Sequence, residues 1–175
     1  MIHSLIIIII FVLLICSCKE KTRNVSDKDI KELKEPLIEV NKYLVKKDAD
    51  LIKKYAERRK WKMKETESGL WYMIYKNGNG KQANEGEFAT INYTVNLFNG
   101  KMCYSSDSLG SKYFKIGNRT VERGLDEGIL LLKEGDKAKF ILPPHLAYGL
   151  LGDDNKIPSR SIIVYDVELL EISNY

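Results

Sequence analysis

The chain has 175 residues, of which 44% are hydrophobic and 30% are charged, and its formal net charge is +4. This length and composition predict one ordinary globular domain with a smaller element beside it. The basic residues between Lys42 and Lys64 alternate with acidic ones, whereas a surface that binds nucleic acid concentrates its positive charge. The composition therefore argues against nucleic acid as a partner.

An apolar run near the N-terminus, residues 5–15, is followed by Cys16-Ser17-Cys18 and a polar stretch. A run of this length is typical of a signal-peptide core, since a membrane-spanning helix needs about 20 residues. The aliphatic residue, two small residues and cysteine resemble the lipobox of bacterial lipoproteins. This resemblance implies a lipoprotein signal peptide over residues 1–17 and lipid attachment at Cys18. The alternative is a short, uncleaved N-terminal anchor.

Both alternatives attach the protein to a membrane and export the remainder. Residues 18–28 are predicted to be a polar tether. Lys19 follows Cys18, in place of the aspartate that retains lipoproteins at the inner membrane of enteric bacteria. By that analogy we expect a lipoprotein of a bacterial cell envelope, in the outer membrane and facing the periplasm.

Cysteine and histidine are scarce in the part of the chain that follows the tether. Cys103 is the one cysteine left there and His145 the one histidine. A single cysteine cannot form an internal disulfide, and zinc sites are built from clusters of these residue types. The sequence therefore predicts no metal and no internal disulfide.

Residues 29–65 are predicted to be helical. Apolar residues recur there at spacings of three and four, namely Ile30, Leu33, Leu37, Val40 and Leu44. Pro36 interrupts this stripe, so the helix begins either near Ser26 or at Pro36, and a second helical piece is expected over about residues 48–60. Such a stripe has to be covered, either by the following domain or by the same helix of a second chain, which would make a homodimer.

The pattern changes to that of strands from Gly69 onward. Alternating or β-branched runs are separated by the turn pairs Asn77-Gly78 and Asn99-Gly100. A short helix is predicted around residues 125–132. About five strands with one helix indicate an α+β fold, in which an antiparallel sheet folds over the helix.

Between the last two predicted strands lies LPPHLAYGLLGDDNKIPS, residues 142–159, which we call the flap. It places Tyr148 between prolines and glycines and ends with Ile157-Pro158. One interpretation is a surface turn whose residues serve only backbone geometry. The other is the rim of a hydrophobic pocket, with Tyr148 and Ile157 directed inward.

The order of these segments resembles that of the FKBP-type peptidyl-prolyl cis–trans isomerases. The matching pieces are Ile91-Asn92-Tyr93-Thr94, Asn99-Gly100, Ser105-Ser106, Phe114-Lys115-Ile116-Gly117, Val121-Glu122-Arg123-Gly124-Leu125, Leu146-Ala147-Tyr148-Gly149, Ile157-Pro158 and Val164-Tyr165-Asp166. The resemblance covers residues 69–173 and implies an FKBP-like antiparallel half-barrel wrapped on one short helix. With the lipobox and helical segment in front, the chain is similar to exported FKBP lipoproteins, including gliding-motility-associated ones.

The resemblance implies a peptidyl-prolyl isomerase that acts on proline-containing polypeptides, assists the folding of exported proteins and needs no cofactor. Its implied catalytic residues are Tyr93, Tyr148, Ile157 and Tyr165. Its implied substrate-binding residues are Cys103, Tyr104, Phe114, Val121, Glu122 and Leu125. By the same resemblance, the Ile157 backbone N–H would donate a hydrogen bond to a substrate carbonyl.

Three residues, at two places in the chain, depart from the family pattern. Active members usually carry Phe-Asp where this chain has Cys103-Tyr104, and that aspartate accepts a hydrogen bond from the tyrosine matched by Tyr93. Glu122 replaces an aliphatic residue whose backbone amide commonly binds the ligand. These departures keep an alternative open, a membrane-anchored module that binds proline or acts as a chaperone without turnover.

Overall fold

The structure, a computed structural model, describes residues 27–174, with side chains from residue 34 onward. The predicted signal peptide and Cys18 lie outside the described residues. Within the described range, no helix is both long enough and apolar enough to cross a membrane. The chain divides into two compact units, one up to Val40 and one from Asn41 onward.

Helix α1, Asp27–Arg58, is continuous through Pro36, where the sequence predicted an interruption and a separate second piece. A proline inside a helix removes one backbone hydrogen bond and crowds the preceding turn. The lysine, glutamate and leucine residues on both sides favour the helical state, and the helix continues past this local cost. It ends at Arg58, and Lys60 has a left-handed φ of 57°.

The C-terminal half of α1 belongs to the second unit and packs on its sheet. Ile52 and Tyr55 are buried in a cluster with Ile141, Ile162 and Val164. The Tyr55 ring stacks on Phe98 with centroids 4.1 Å apart. Both residues belong to the predicted second helical piece, which is therefore covered by the sheet of the following domain.

The described residues contain one antiparallel sheet of seven strands. These are β1 Lys64–Glu65, β2 Trp71–Lys76, β3 Phe88–Leu97, β4 Met102–Ser105, β5 Lys112–Lys115, β6 Lys137–Leu142 and β7 Ile163–Ser173. Their order is β1-β2-β6-β7-β3-β4, and β5 also pairs with β3. Strand β3 pairs with β7 from Phe88↔Ser173 to Leu97↔Ile163. Side chains of β3 alternate between buried and half-buried, because successive residues of a strand face opposite sides of the sheet.

Three short helical segments complete the fold: α2 Ser106–Leu109, α3 Arg123–Ile129 and a 3₁₀ turn at Pro144–Leu146. Helix α3 packs closely on β6, with Leu125 and Ile129 fully buried. A Cβ at Gly124 would lie 2.5 Å from the Leu142 Cγ atom, and one at Gly128 would lie 2.9 Å from the Phe140 ring. Glycine at both positions permits this approach. The predicted α+β fold, an antiparallel sheet around a short helix with a helical segment in front, is confirmed.

Candidate functional site

The structure brings the ten predicted site residues of the domain together. Nine of them belong to, or pack against, the main hydrophobic cluster, namely Tyr93, Cys103, Tyr104, Phe114, Val121, Leu125, Tyr148, Ile157 and Tyr165. The tenth, Glu122, is hydrogen-bonded to Tyr148. They come from β3, β4, β5, β7, α3 with its preceding loop, and the flap, so the half-barrel, rather than any single segment, assembles the site.

Glu122 extends its side chain into this cluster from the position immediately before α3. The side chain is 8% exposed, and its Oε1 atom accepts a hydrogen bond from the Tyr148 hydroxyl. Its Oε2 atom lies 3.9 Å from the Lys112 Nζ atom, which is ion-pair distance, and has no hydrogen-bond partner among the described residues. Sequence reasoning assigned a role to the Glu122 backbone amide and missed its carboxylate.

Three tyrosines surround the Glu122 carboxylate. Burial raises the pKa of the Tyr148 hydroxyl, and the hydrogen bond to Glu122 raises it further. Burial and the negative charge of Glu122 also raise the pKa of Tyr93 and Tyr165. The fully buried Tyr165 hydroxyl lies near the carboxylate but forms no hydrogen bond of normal geometry within the described structure. All three hydroxyls therefore stay protonated near neutral pH and can donate hydrogen bonds.

The flap is held by the Asp153 carboxylate. This carboxylate accepts hydrogen bonds from the Tyr104 hydroxyl, from the Ile157 amide at 2.7 Å and from the Asn155 amide at 3.0 Å. Burial alone would raise the pKa of Asp153, but these hydrogen bonds outweigh it and hold the pKa below its ordinary value. Gly152, with φ +86°, lies so close that a Cβ there would be 2.3 Å from the Ile157 carbonyl oxygen.

The contact of Asp153 involves an amide that the resemblance assigns to the substrate. The Ile157 N–H, which we expected to be available to a substrate carbonyl, is donated to Asp153 in this structure. An aspartate commonly captures a backbone amide a few residues ahead of it in a turn. The Gly-Asp-Asp-Asn run in the flap is the sequence signal that could have indicated this contact.

Tyr104 and Cys103 mark the departure from the family pattern. The Tyr104 hydroxyl donates to Asp153 of the flap, so this side chain joins β4 to the flap. Cys103 is buried, with its Sγ atom 3.5 Å from the Lys156 carbonyl oxygen, and burial raises the pKa of its thiol. The negative charge that helps to raise the pKa of the Tyr93 hydroxyl is that of Glu122.

An apolar wall completes the site. Phe114 and Leu125 are buried, and Val121 is half-buried. The Tyr93 and Tyr165 rings have centroids 6.2 Å apart. The arrangement places hydroxyl and amide donors beside apolar surface.

Residues 79–170 match the family model described as FKBP-type peptidyl-prolyl cis-trans isomerase. The chain is 37% identical, over 124 residues, to the FKBP-type isomerase FkpA of Buchnera aphidicola subsp. Schizaphis graminum, covering 70% of this chain and 48% of that protein. It is 43% identical, over 89 residues, to FK506-binding protein 2 of Dictyostelium discoideum, covering 50% of this chain and 67% of that one.

A solved structure gives the same result. The crystal structure of FkpA from Escherichia coli matches with a TM-score of 0.61 and 30% sequence identity, over 86% of this chain and 74% of that one. The chain spans about half the length of the Buchnera relative. The family match, the identities and the shared fold agree that the chain belongs to the FKBP-type peptidyl-prolyl cis–trans isomerase family.

Proposed function

We propose that this chain isomerises peptidyl-prolyl bonds in polypeptides. The observation that carries the proposal is the convergence of Tyr93, Tyr148 and Tyr165 on the apolar wall beneath the flap. Isomerisation of the prolyl bond is slow because twisting the amide loses its resonance. The twisted amide is less polar than the planar one, so an apolar site binds it relatively better and accelerates the reaction.

In this mechanism the proline ring would contact Phe114, Val121 and Leu125. The Tyr148 hydroxyl would leave Glu122 and donate to the carbonyl of the residue before proline. Release of the Ile157 amide from Asp153 would supply a second donor. The site thus needs no nucleophile, because the only bond order that changes is the partial double bond of the amide.

A second candidate, binding of proline segments without turnover, is favoured by one specific observation. Both donors intended for the substrate, the Tyr148 hydroxyl and the Ile157 amide, are occupied by carboxylates of the chain itself. If these contacts persisted in the complex, the apolar wall would bind proline while the rotating carbonyl remained without a donor.

We assign the chain further to the exported lipoprotein subgroup, anchored through Cys18 in the outer membrane and assisting the folding of exported proteins in the periplasm. The apolar run and lipobox of the sequence support this assignment. Incorporation of labelled palmitate that disappears in Cys18→Ser would support the anchor, and equal labelling of the variant would contradict it.

A homodimer through the N-terminal half of α1 is also proposed. Leu37 and Val40 are 61% and 54% exposed, which leaves their part of the predicted stripe available to a second chain. The oligomeric state is tested by sedimentation of a chain beginning at Thr22, at roughly tens of micromolar, where weak self-association is detected. A monomer throughout would contradict the dimer.

The isomerase proposal is tested by NMR exchange between the cis and trans forms of the peptide Ala-Leu-Pro-Phe. Tyr148→Phe removes only the hydroxyl, and we expect it to abolish most of the rate enhancement. Tyr113→Phe is the matched control, since Tyr113 is 57% exposed and stacks on Phe88 outside the site. Peptide-induced shifts without any enhancement would establish the binding module instead.

A further inference from the structure

The site contains a buried carboxylate whose charge is not matched, within the described chain, by a cation at hydrogen-bond distance. The Glu122 side chain is only 8% exposed, and its Oε2 atom has no hydrogen-bond partner among residues 34–174. A charged oxygen removed from water without such a partner costs several kcal/mol unless something compensates it. The Tyr165 hydroxyl lies beside this carboxylate and is itself buried without a hydrogen bond of normal geometry in the described structure; a neutral hydroxyl can solvate the oxygen but does not balance its charge.

The cation nearest to Glu122 does not fully satisfy it. Lys112 approaches Oε2 only to 3.9 Å and retains a 26% exposed side chain. Its Nζ atom instead lies over the Tyr93 ring, 4.9 Å from the centroid. On the flap side, Lys156 lies over the Tyr104 ring at 5.1 Å, beside Asp153. The negative charge of Glu122 is therefore only partly balanced, close to where a substrate carbonyl would bind.

Geometry then indicates which substrate residue reaches this place. The Tyr148 hydroxyl, which donates to Glu122, is the donor proposed for the carbonyl of the residue before proline. That residue's side chain is attached to the Cα atom bonded to the same carbonyl carbon, so it is the substrate side chain expected nearest to Glu122. A lysine or arginine there would bring N–H donors and positive charge to Oε2.

Building on the isomerase function proposed above, we propose that the site selects prolyl bonds preceded by lysine or arginine, with Glu122 as the residue that determines this specificity. The cation draws the carboxylate to itself and releases the Tyr148 hydroxyl for the prolyl carbonyl. An uncharged substrate has to displace Glu122 from Tyr148 and offers it no replacement partner.

The test compares two blocked peptides, acetyl-Ala-Lys-Pro-Phe-amide and its norleucine analogue, which keeps the aliphatic stem and lacks the ammonium group. NMR exchange gives kcat/KM for each peptide with the full chain. A charge-assisted hydrogen bond, reduced by the desolvation of the lysine, predicts a preference of about tenfold for lysine. Glu122→Gln keeps the side-chain shape and should bring the ratio near one while raising the rate on norleucine. Glu57→Gln, an exposed change of equal charge on α1, should retain the tenfold ratio.

Several outcomes would overturn the specificity. They are a wild-type ratio of one or below, or an unchanged ratio in Glu122→Gln. If neither peptide shows catalysed exchange, the isomerase function fails, and the affinities of the same two peptides from chemical-shift titration decide the specificity. Tighter binding of the lysine peptide that is lost in Glu122→Gln would support it, and equal affinities would refute it.

Discussion

Asp153 is expected to control the opening of the flap, and Asp153→Ala tests this. The wild-type carboxylate accepts hydrogen bonds from the Tyr104 hydroxyl and from the Ile157 amide at 2.7 Å. The Ile157 residue is 2% exposed, so its N–H has little access to water in the closed flap. After the substitution this N–H is left without its acceptor.

The magnitude follows from that unsatisfied amide. A buried donor that loses its partner costs about 1–3 kcal/mol. Asp153 itself is half-buried, and water can reach part of the vacated space, so we take about 1.5 kcal/mol from the lower half of that range. This corresponds to roughly a tenfold rise in the population of the open flap.

Hydrogen exchange measured by NMR reads this population at one amide. We expect the protection of the Ile157 amide to fall roughly tenfold in Asp153→Ala, while the amide of Val167 in β7 keeps its protection. Asp153→Asn retains an oxygen acceptor, so it should destabilise the closed flap by less than half of the free energy lost in Asp153→Ala. Unchanged protection of Ile157 in the alanine variant would refute the role of Asp153.

Acid should weaken the same contact without a mutation. The pKa of Asp153 is lowered in the folded chain from its ordinary 3.8. A carboxyl with a lowered folded pKa stabilises its contacts above the unfolded value and loses this stabilisation as the pH falls through the folded value. The chemical shift of the Ile157 amide should therefore be constant at mildly acidic pH and change with a midpoint below 3.8; a midpoint above it would contradict the reasoning.

Gly124→Ala should lower the free energy of unfolding by about 1–3 kcal/mol, because its methyl group would lie 2.5 Å from a leucine carbon of β6. Urea unfolding measures this loss, and equal stability would contradict the close approach. Ile52→Ala, at a fully buried site, should cost about 2–5 kcal/mol in the same assay, whereas Leu51→Ala, 42% exposed on the same helix, should cost under about 1 kcal/mol. Asp48→Asn should cost about 1 kcal/mol by breaking the 2.7 Å ion pair with Arg160, and a loss that does not shrink in high salt would argue against an electrostatic origin.

Periodicity in the sequence predicted most of the fold. FATINYTVNLF alternates along its length and coincides with β3, because one side of that strand faces the core. The predicted helix near residues 125–132 corresponds to α3, Arg123–Ile129. The interruption predicted at Pro36 is absent from α1. The cost of one proline is local, and the favourable residues of a long helix outweigh it.

The polar contacts of the site were not predictable in the same way. Periodicity reports which face of an element is apolar, but it does not say where a long side chain from a loop ends. Glu122 and Asp153 both lie outside regular strands, and each finds its partner in a distant part of the chain or across a turn. The resemblance to the family indicated the residues that the structure brings together, whereas the contacts of the two carboxylates with the Tyr148 hydroxyl and the Ile157 amide are visible only in the folded chain.

The position of β7 in the sheet has a consequence for how the chain acquires its structure. This strand is the last one along the described chain, yet it lies between β6 and β3 and joins the two halves of the sheet. Its pairing of Ser173 with Phe88 closes a long loop, and such contacts between distant positions make folding slow. The sheet cannot be completed until almost all of the domain has been synthesised. If the chain is exported, as proposed above, and crosses the membrane unfolded, this order of events would delay completion of the sheet until translocation is over.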